Sequence, residues 1–228
     1  MSMQEVQTSS LNKYFAKIYL LMALGLAMSA AMSFGLLMAN PFQAALVSFV
    51  NHFPLGFTGL WLVELLLVIV LGMKGQKNPT LALTGFVAFS LINGLVIAVT
   101  LYAYELGSVV QAFVGASAMF VGLGIFGAVT KKDLTGLGSA ARALLIGLII
   151  MIPLNLFIFR SSGMEMLISC LALVVFSALT AYDHQKIKAY YQRYGNQNGI
   201  AIFMALQLYL DFINLFLSLL RLTGSRRS

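Results

Sequence analysis

Apolar runs of about 20 residues follow one another along almost the whole chain, and this repetition constrains the fold more than any other feature. A run of that length lets an α-helix cross about 30 Å of hydrocarbon. Seven such runs are read near 18–39, 55–73, 81–102, 109–129, 143–159, 164–187 and 200–222. With 60% hydrophobic and only 9% charged residues, a chain of 228 carries more apolar surface than a soluble core of its size can hide. The expected fold class is therefore all-α, a membrane protein of seven transmembrane helices joined by short loops. Its expected organisation is a short cytoplasmic segment over 1–17, one polytopic domain over 18–222 and a short basic tail over 223–228.

The start, MSMQEVQTSSLNKYFAKIYLL, has no small-residue cleavage site after a short apolar stretch, so the first run reads as a retained span. Residues 44–50 are too few to span and read as a loop or interfacial turn. Cys170 is the only cysteine, which excludes an intramolecular disulfide and a cysteine-based metal site.

The formal charge of +7 would suit nucleic acid, but its distribution points to the bilayer instead. With the N-terminus in the cytoplasm, Lys13, Lys17, Lys74, Lys77, Lys131, Lys132, Arg142, Lys186, Lys188 and Arg193 all fall inside. The opposite loops hold Arg160 together with Glu105 and Glu165. This is the positive-inside bias of a multi-pass membrane protein, and no nucleic-acid partner is expected. Arg221, Arg226 and Arg227 run against it: seven crossings place them outside, whereas a re-entrant last segment would bring them in. Early helices dominate orientation, so seven crossings are the expectation.

Polar residues inside the runs carry the functional reading. In the last run Gln207, Asp211, Asn214, Ser218 and Arg221 are spaced 4, 3, 4 and 3, which stacks them on one helical face. Such a stripe faces the bundle interior or a water-filled cavity; it either joins helices by hydrogen bonds or lines an ion or proton path. Asparagine and serine can join helices without the cost of a carboxylate, about 3 kcal/mol at mid-membrane on insertion scales, so Asp211 favours the path. Ser177, Thr180 and Asp183 or His184 form a weaker stripe leading to the cytoplasmic end of the sixth run. Glu64 lies about a turn and a half from the outer end of the second. It either snorkels to the headgroups or lines the outer mouth of a path. Asn93 and Asn155 read as helix–helix hydrogen-bonding residues, and Gly115, Gly122, Gly124 and Gly127 as a thin, close-packing face.

Two acids on successive helices allow three chemistries. They can share a proton, offer hard oxygens to Ca²⁺, or activate water as in aspartic proteases. Asp211 stands about 16 Å along its helix from Ile200, whereas Asp183 is near a helix end. Pairing them needs a seventh helix that starts below the membrane surface, or a crevice that reaches upward.

The stretches LTAYDHQKIK, LYLDFINLFLSLLR and TKKDLTGLG resemble the bacterial branch of the Bax inhibitor-1 (transmembrane Bax-inhibitor-motif) family, over nearly the whole chain. The resemblance implies six helices surrounding the last. It also implies a pH-sensitive calcium leak channel sensed by an aspartate pair, which by matching motifs is Asp183 and Asp211. Glu64 matches the family's acid on the second helix. The family's basic latch residue near the end of that helix is not an arginine here, and Lys74, beside Gly75, stands nearest. Two carboxylates with amide oxygens from Gln207 or Asn214 give too few ligands for a tight calcium cage. They suit the weak, transient contact that conduction needs, so calcium is expected as a permeant ion with no cofactor.

An intramembrane aspartyl protease would need Gly-x-Gly-Asp where this chain has LYLD, and a later Pro-Ala-Leu where no proline follows Pro153. A retinal protein would need a lysine between Ile200 and Leu220, and there is none. No enzyme is expected. The remaining alternative is a non-conducting regulator of a membrane protease or another membrane partner. The expected partners are otherwise the lipid bilayer, calcium ions and protons, and the expected location is a bacterial inner (plasma) membrane.

Overall fold

The computed structural model describes residues 3–39, 44, 48 and 54–227, so apart from Ala44 and Ser48 the segment 44–50 lies outside the described residues. Among the described residues seven long helices follow in order: α1 (Met3–Met38), α2 (Pro54–Val70), α3 (Pro79–Tyr102), α4 (Leu106–Val129), α5 (Thr135–Leu154), α6 (Ser162–Tyr194) and α7 (Asn198–Thr223). Two end in π-helical turns, Leu71–Gly75 after α2 and Asn155–Phe159 after α5. Among the described residues there is no strand, only an isolated antiparallel bridge between Tyr104 and Arg226.

The helix ends follow local chemistry. Asn78 caps α3 by accepting the Leu81 amide at 3.1 Å, with Pro79 in the first turn, where its missing N–H goes unneeded. Pro153 sits inside α5, and the regular ladder gives way to the wider π turn at Asn155. Arg160 then adopts a left-handed conformation (φ 46°), and Asn155 binds the turn through Ser161, accepting its amide and donating to its carbonyl.

Six of these helices, α1 from Ser9, α3, α4, α5 with its π turn, α6 and α7, are long and apolar enough to cross a membrane. In α2 the α-helical part has 17 residues, about 26 Å, and the π turn continues it. Three helices outrun the apolar runs that mark them. α1 begins at Met3 rather than 18, α5 at Thr135 rather than 143, and α6 continues to Tyr194 rather than stopping at 187. Hydropathy marks only the part that lipid requires, whereas a backbone ladder continues wherever side chains support it.

The chain divides into two units, 1–103 with 194–209, and 104–193 with 210–228. In the first, α3 packs on α1 and α2, and the backbones come close at Gly94, where a Cβ would lie 2.8 Å from the Ser29 carbonyl oxygen. The start of α7 is tied to α1 by Lys17, whose ammonium donates to the side-chain oxygen of Asn198. In the second unit the end of α7 packs aromatic rings on α4: Phe113 and Phe120 meet Phe212 edge-on, with ring centres 5.5 and 5.7 Å apart. The tail folds back on the starts of α4 and α6. Glu105 donates its amide to Ser225 O at 3.0 Å, Ser225 donates its own to Ser108 Oγ at 2.9 Å, and Arg226 pairs with Glu165 at 3.2 Å. Arg226, one of the cations that run against the charge pattern, is thus balanced by an acid at its own end of the unit.

Candidate functional site

Each unit buries acidic side chains. In the first, Glu64 of α2 is 6% exposed and its Oε1 accepts from Asn93 Nδ2 of α3 at 2.8 Å. Asn93 Oδ1 accepts from the Tyr209 hydroxyl of α7 at 2.9 Å, and that hydroxyl lies 2.6 Å from Ser29 Oγ of α1. Ser29 also reaches the Ser90 carbonyl at 2.7 Å. Four helices are thus joined by one line of hydrogen bonds, and Phe86 and Phe89 wall it by meeting the Tyr209 ring edge-on. Glu64 does not snorkel; it lies inside the unit with Asn93 as its donor.

The second unit brings Asp183 of α6 and Asp211 of α7 within reach of each other's charge. They are 4% and 3% exposed. Asp183 Oδ1 lies 3.7 Å from the Lys186 ammonium one turn along the same helix, and the charge of Arg142 from α5 also acts on it. Asp211 is different: among the described residues its Oδ2 is buried with no hydrogen-bond partner. A buried polar oxygen without a donor is uncommon and calls for an explanation.

Close helix approach builds this corner. A Cβ on Gly127 would run into the carbonyl of Ala181, and one on Gly138 into the ring of Tyr182. One turn beyond Gly138, Arg142 lays its guanidinium 4.9 Å from the centre of that same ring. Gly124 leaves room for His184, 2.6 Å from where its Cβ would stand. His184 is buried, its Nδ1 is 2.6 Å from the Thr180 carbonyl oxygen, and its ring meets Phe120 edge-on at 5.1 Å. It occupies a packed position within the unit.

The remaining residues of the α7 stripe are treated unequally. Ser218 is buried, Gln207 is half-buried, and Asn214 is half-buried with its amide donating to Leu210 O at 2.8 Å. Lys74 is exposed in the π turn of the first unit. The cation beside Asp183 is Lys186, a residue that also belongs to the positive-inside set, and its i, i+3 spacing from Asp183 is the signal for it in the sequence. Among the described residues no three His, Cys, Asp or Glu side chains gather into a metal cluster.

The fold and these sites define a multi-pass α-helical membrane protein with a buried carboxylate pair. A family model described as inhibitor of apoptosis-promoting Bax1 matches residues 11–228. An uncharacterized membrane protein of Streptococcus pyogenes serotype M1 is 42% identical over 216 residues, covering 94% of this chain and 93% of the relative. The protein YrjE of Lactococcus lactis is 40% identical over 220 residues, 96% and 93% of the two chains. The inner membrane protein YbhL of Escherichia coli K12 is 34% identical over 225 residues, 96% and 94%. The chain belongs to the Bax inhibitor-1 family.

Proposed function

We propose that this protein is a pH-sensitive calcium leak channel whose sensor is the pair Asp183 and Asp211. The observation that carries the reading is the Asp211 Oδ2, buried with no partner among the described residues and acted on by the charge of Asp183. Two carboxylates in one buried site titrate as a unit. With one proton between them they carry a single negative charge and form a closed contact. When both are ionised the pair is a double negative charge set against Lys186 and Arg142. It must then separate or take up a cation, and two carboxylates hold Ca²⁺ loosely enough for it to leave. The work is conduction rather than catalysis.

Asn214 and Ser218 are proposed as polar lining along α7 from Asp211. Glu64 and Gln207 carry the same proposal on sequence pattern, and Lys74 remains the proposed closed-state cation. The proposed topology is seven crossings of a bacterial inner membrane around a central last helix, with a cytoplasmic N-terminus. The tail's contacts with the starts of α4 and α6, and the 72% burial of the α7 span, support it.

The test is calcium uptake into dye-loaded proteoliposomes across a pH series. Asp183→Asn and Asp211→Asn should each abolish the pH dependence rather than scale the flux, and the double variant should add little, because members of one unit are non-additive. A parent protein with no flux of its own would favour the non-conducting regulator. A normal pH response in both folded single variants would return Asp211 to helix packing.

A further inference from the structure

Beyond the acid pair, the second unit contains a cleft of about 740 Å³, open to solvent, between the turn joining α4 to α5 and the last turns of α6. Lys131, Lys132, Lys186 (already 3.7 Å from Asp183) and Lys188 line it against a single carboxylate of its own, Asp133. That carboxylate is engaged locally, since its Oδ1 accepts both the amide and the hydroxyl of Thr135, at 2.9 and 2.6 Å. The wall is held in place. Gln185 clamps the turn at both ends of its amide, donating to Lys132 O at 2.8 Å and accepting from Leu134 N at 2.9 Å. The Lys186 ammonium lies over two tyrosine rings, 5.7 Å from the centre of Tyr182 and 5.2 Å from that of Tyr190.

We infer that this cleft binds a phosphate group. Its volume is that of a ligand site, within roughly 300–1,000 Å³. Ammonium groups recognise phosphate as point charges without a fixed fork, and several lysines lining one space suit an anion with several oxygens. A clamped turn lowers the ordering cost of binding. Positive-inside orientation alone requires lysines near the surface, but it requires neither a cleft nor a clamp. The phosphate can belong to an anionic lipid headgroup, because α6 carries the wall out from its apolar run, or to a soluble phosphate ester.

The experiment uses the full-length protein. Retention of phosphatidylglycerol over phosphatidylcholine is read by native mass spectrometry from mixed micelles, and binding of inorganic phosphate and glycerol 3-phosphate by calorimetry in neutral detergent. At about fivefold per lysine near an anionic surface, Lys132→Gln/Lys188→Gln should weaken binding roughly thirtyfold. Lys13→Gln/Lys77→Gln, outside the cleft, should weaken it less than threefold, and Lys132→Arg/Lys188→Arg should retain it. Lipid retention without heat from the soluble phosphates assigns the site to a headgroup; heat that the cleft variant loses assigns it to a soluble ester. Equal losses in the two glutamine variants would mean diffuse surface charge and overturn the site. So would the absence of both lipid preference and phosphate heat.

Discussion

In the first unit Glu64 receives Asn93, Asn93 receives Tyr209 and Tyr209 meets Ser29, so the carboxylate is one end of a wired line across four helices. In the second, Asp211 has an oxygen that no donor among the described residues reaches, and the strongest charge acting on it is that of another acid. Both sites bury acids to a similar degree, so burial alone does not separate structure from function. Unused acceptor capacity is what distinguishes the two sites. A satisfied acid resists change, because each partner removed strands another, whereas an acid with a vacant oxygen keeps a place for a proton or cation.

Stability should break that comparison most sharply if it is wrong. Tyr209→Phe deletes the hydroxyl that supplies Asn93 and should destabilise the protein by about 1–2 kcal/mol in reversible unfolding from detergent. Asp211→Asn removes a buried acid whose Oδ2 has no donor among the described residues, and should leave stability within about 0.5 kcal/mol of the parent or raise it. Equal losses in the two variants would erase the distinction. A smaller effect is expected from Glu64→Gln, which keeps an oxygen for Asn93. If Glu64 also lines a path, calcium flux should fall while the pH midpoint stays put, because charge there concentrates cations without belonging to the sensor. Unchanged flux would confine Glu64 to the wired line.

The smallest effect concerns Asp133, whose carboxyl the Thr135 hydroxyl and amide hold below the usual carboxylate range. A depressed value means that its contribution is present above the ordinary pKa and is lost as pH falls through the folded one. The residue is fully exposed, so the gain is slight. Asp133→Asn should therefore flatten, slightly, the fall in melting temperature between about pH 5 and pH 3; an unaltered slope would show that the turn is held by Gln185 alone.

What the chain declares in advance depends on whether the signal runs along one helix or between several. Spans are periodic and local, so the runs at 81–102 and 200–222 mark α3 and α7 within two residues at each end. The 4-3-4-3 spacing marks Asp211 for the same reason. The TGLGSAAR start of α5 is weakly apolar and hid its first two turns, although Gly138 and Arg142 are what fit that helix to Tyr182. The line from Ser29 to Glu64 links residues 180, 116 and 29 positions apart, and no periodicity connects positions on different helices. Tyr209 carries no mark in the sequence, because a tyrosine's polar tip declares itself only when a partner is placed against it.

Gly127 gives the close approach of α4 and α6 a mechanical meaning. Were α6 to tilt, the contact with the Ala181 backbone would be its fulcrum, since neither helix can move through the other there. It divides α6 into unequal arms, about 28 Å back to Ser162 and about 20 Å on to Tyr194. The short arm carries Asp183 beside the fulcrum and Lys188 farther out. When a lever tilts, points near the fulcrum turn but barely travel, while its tip sweeps. Asp183 would therefore change the direction in which it faces more than its position, and the lysine cleft at the tip would register the same tilt as a change of width.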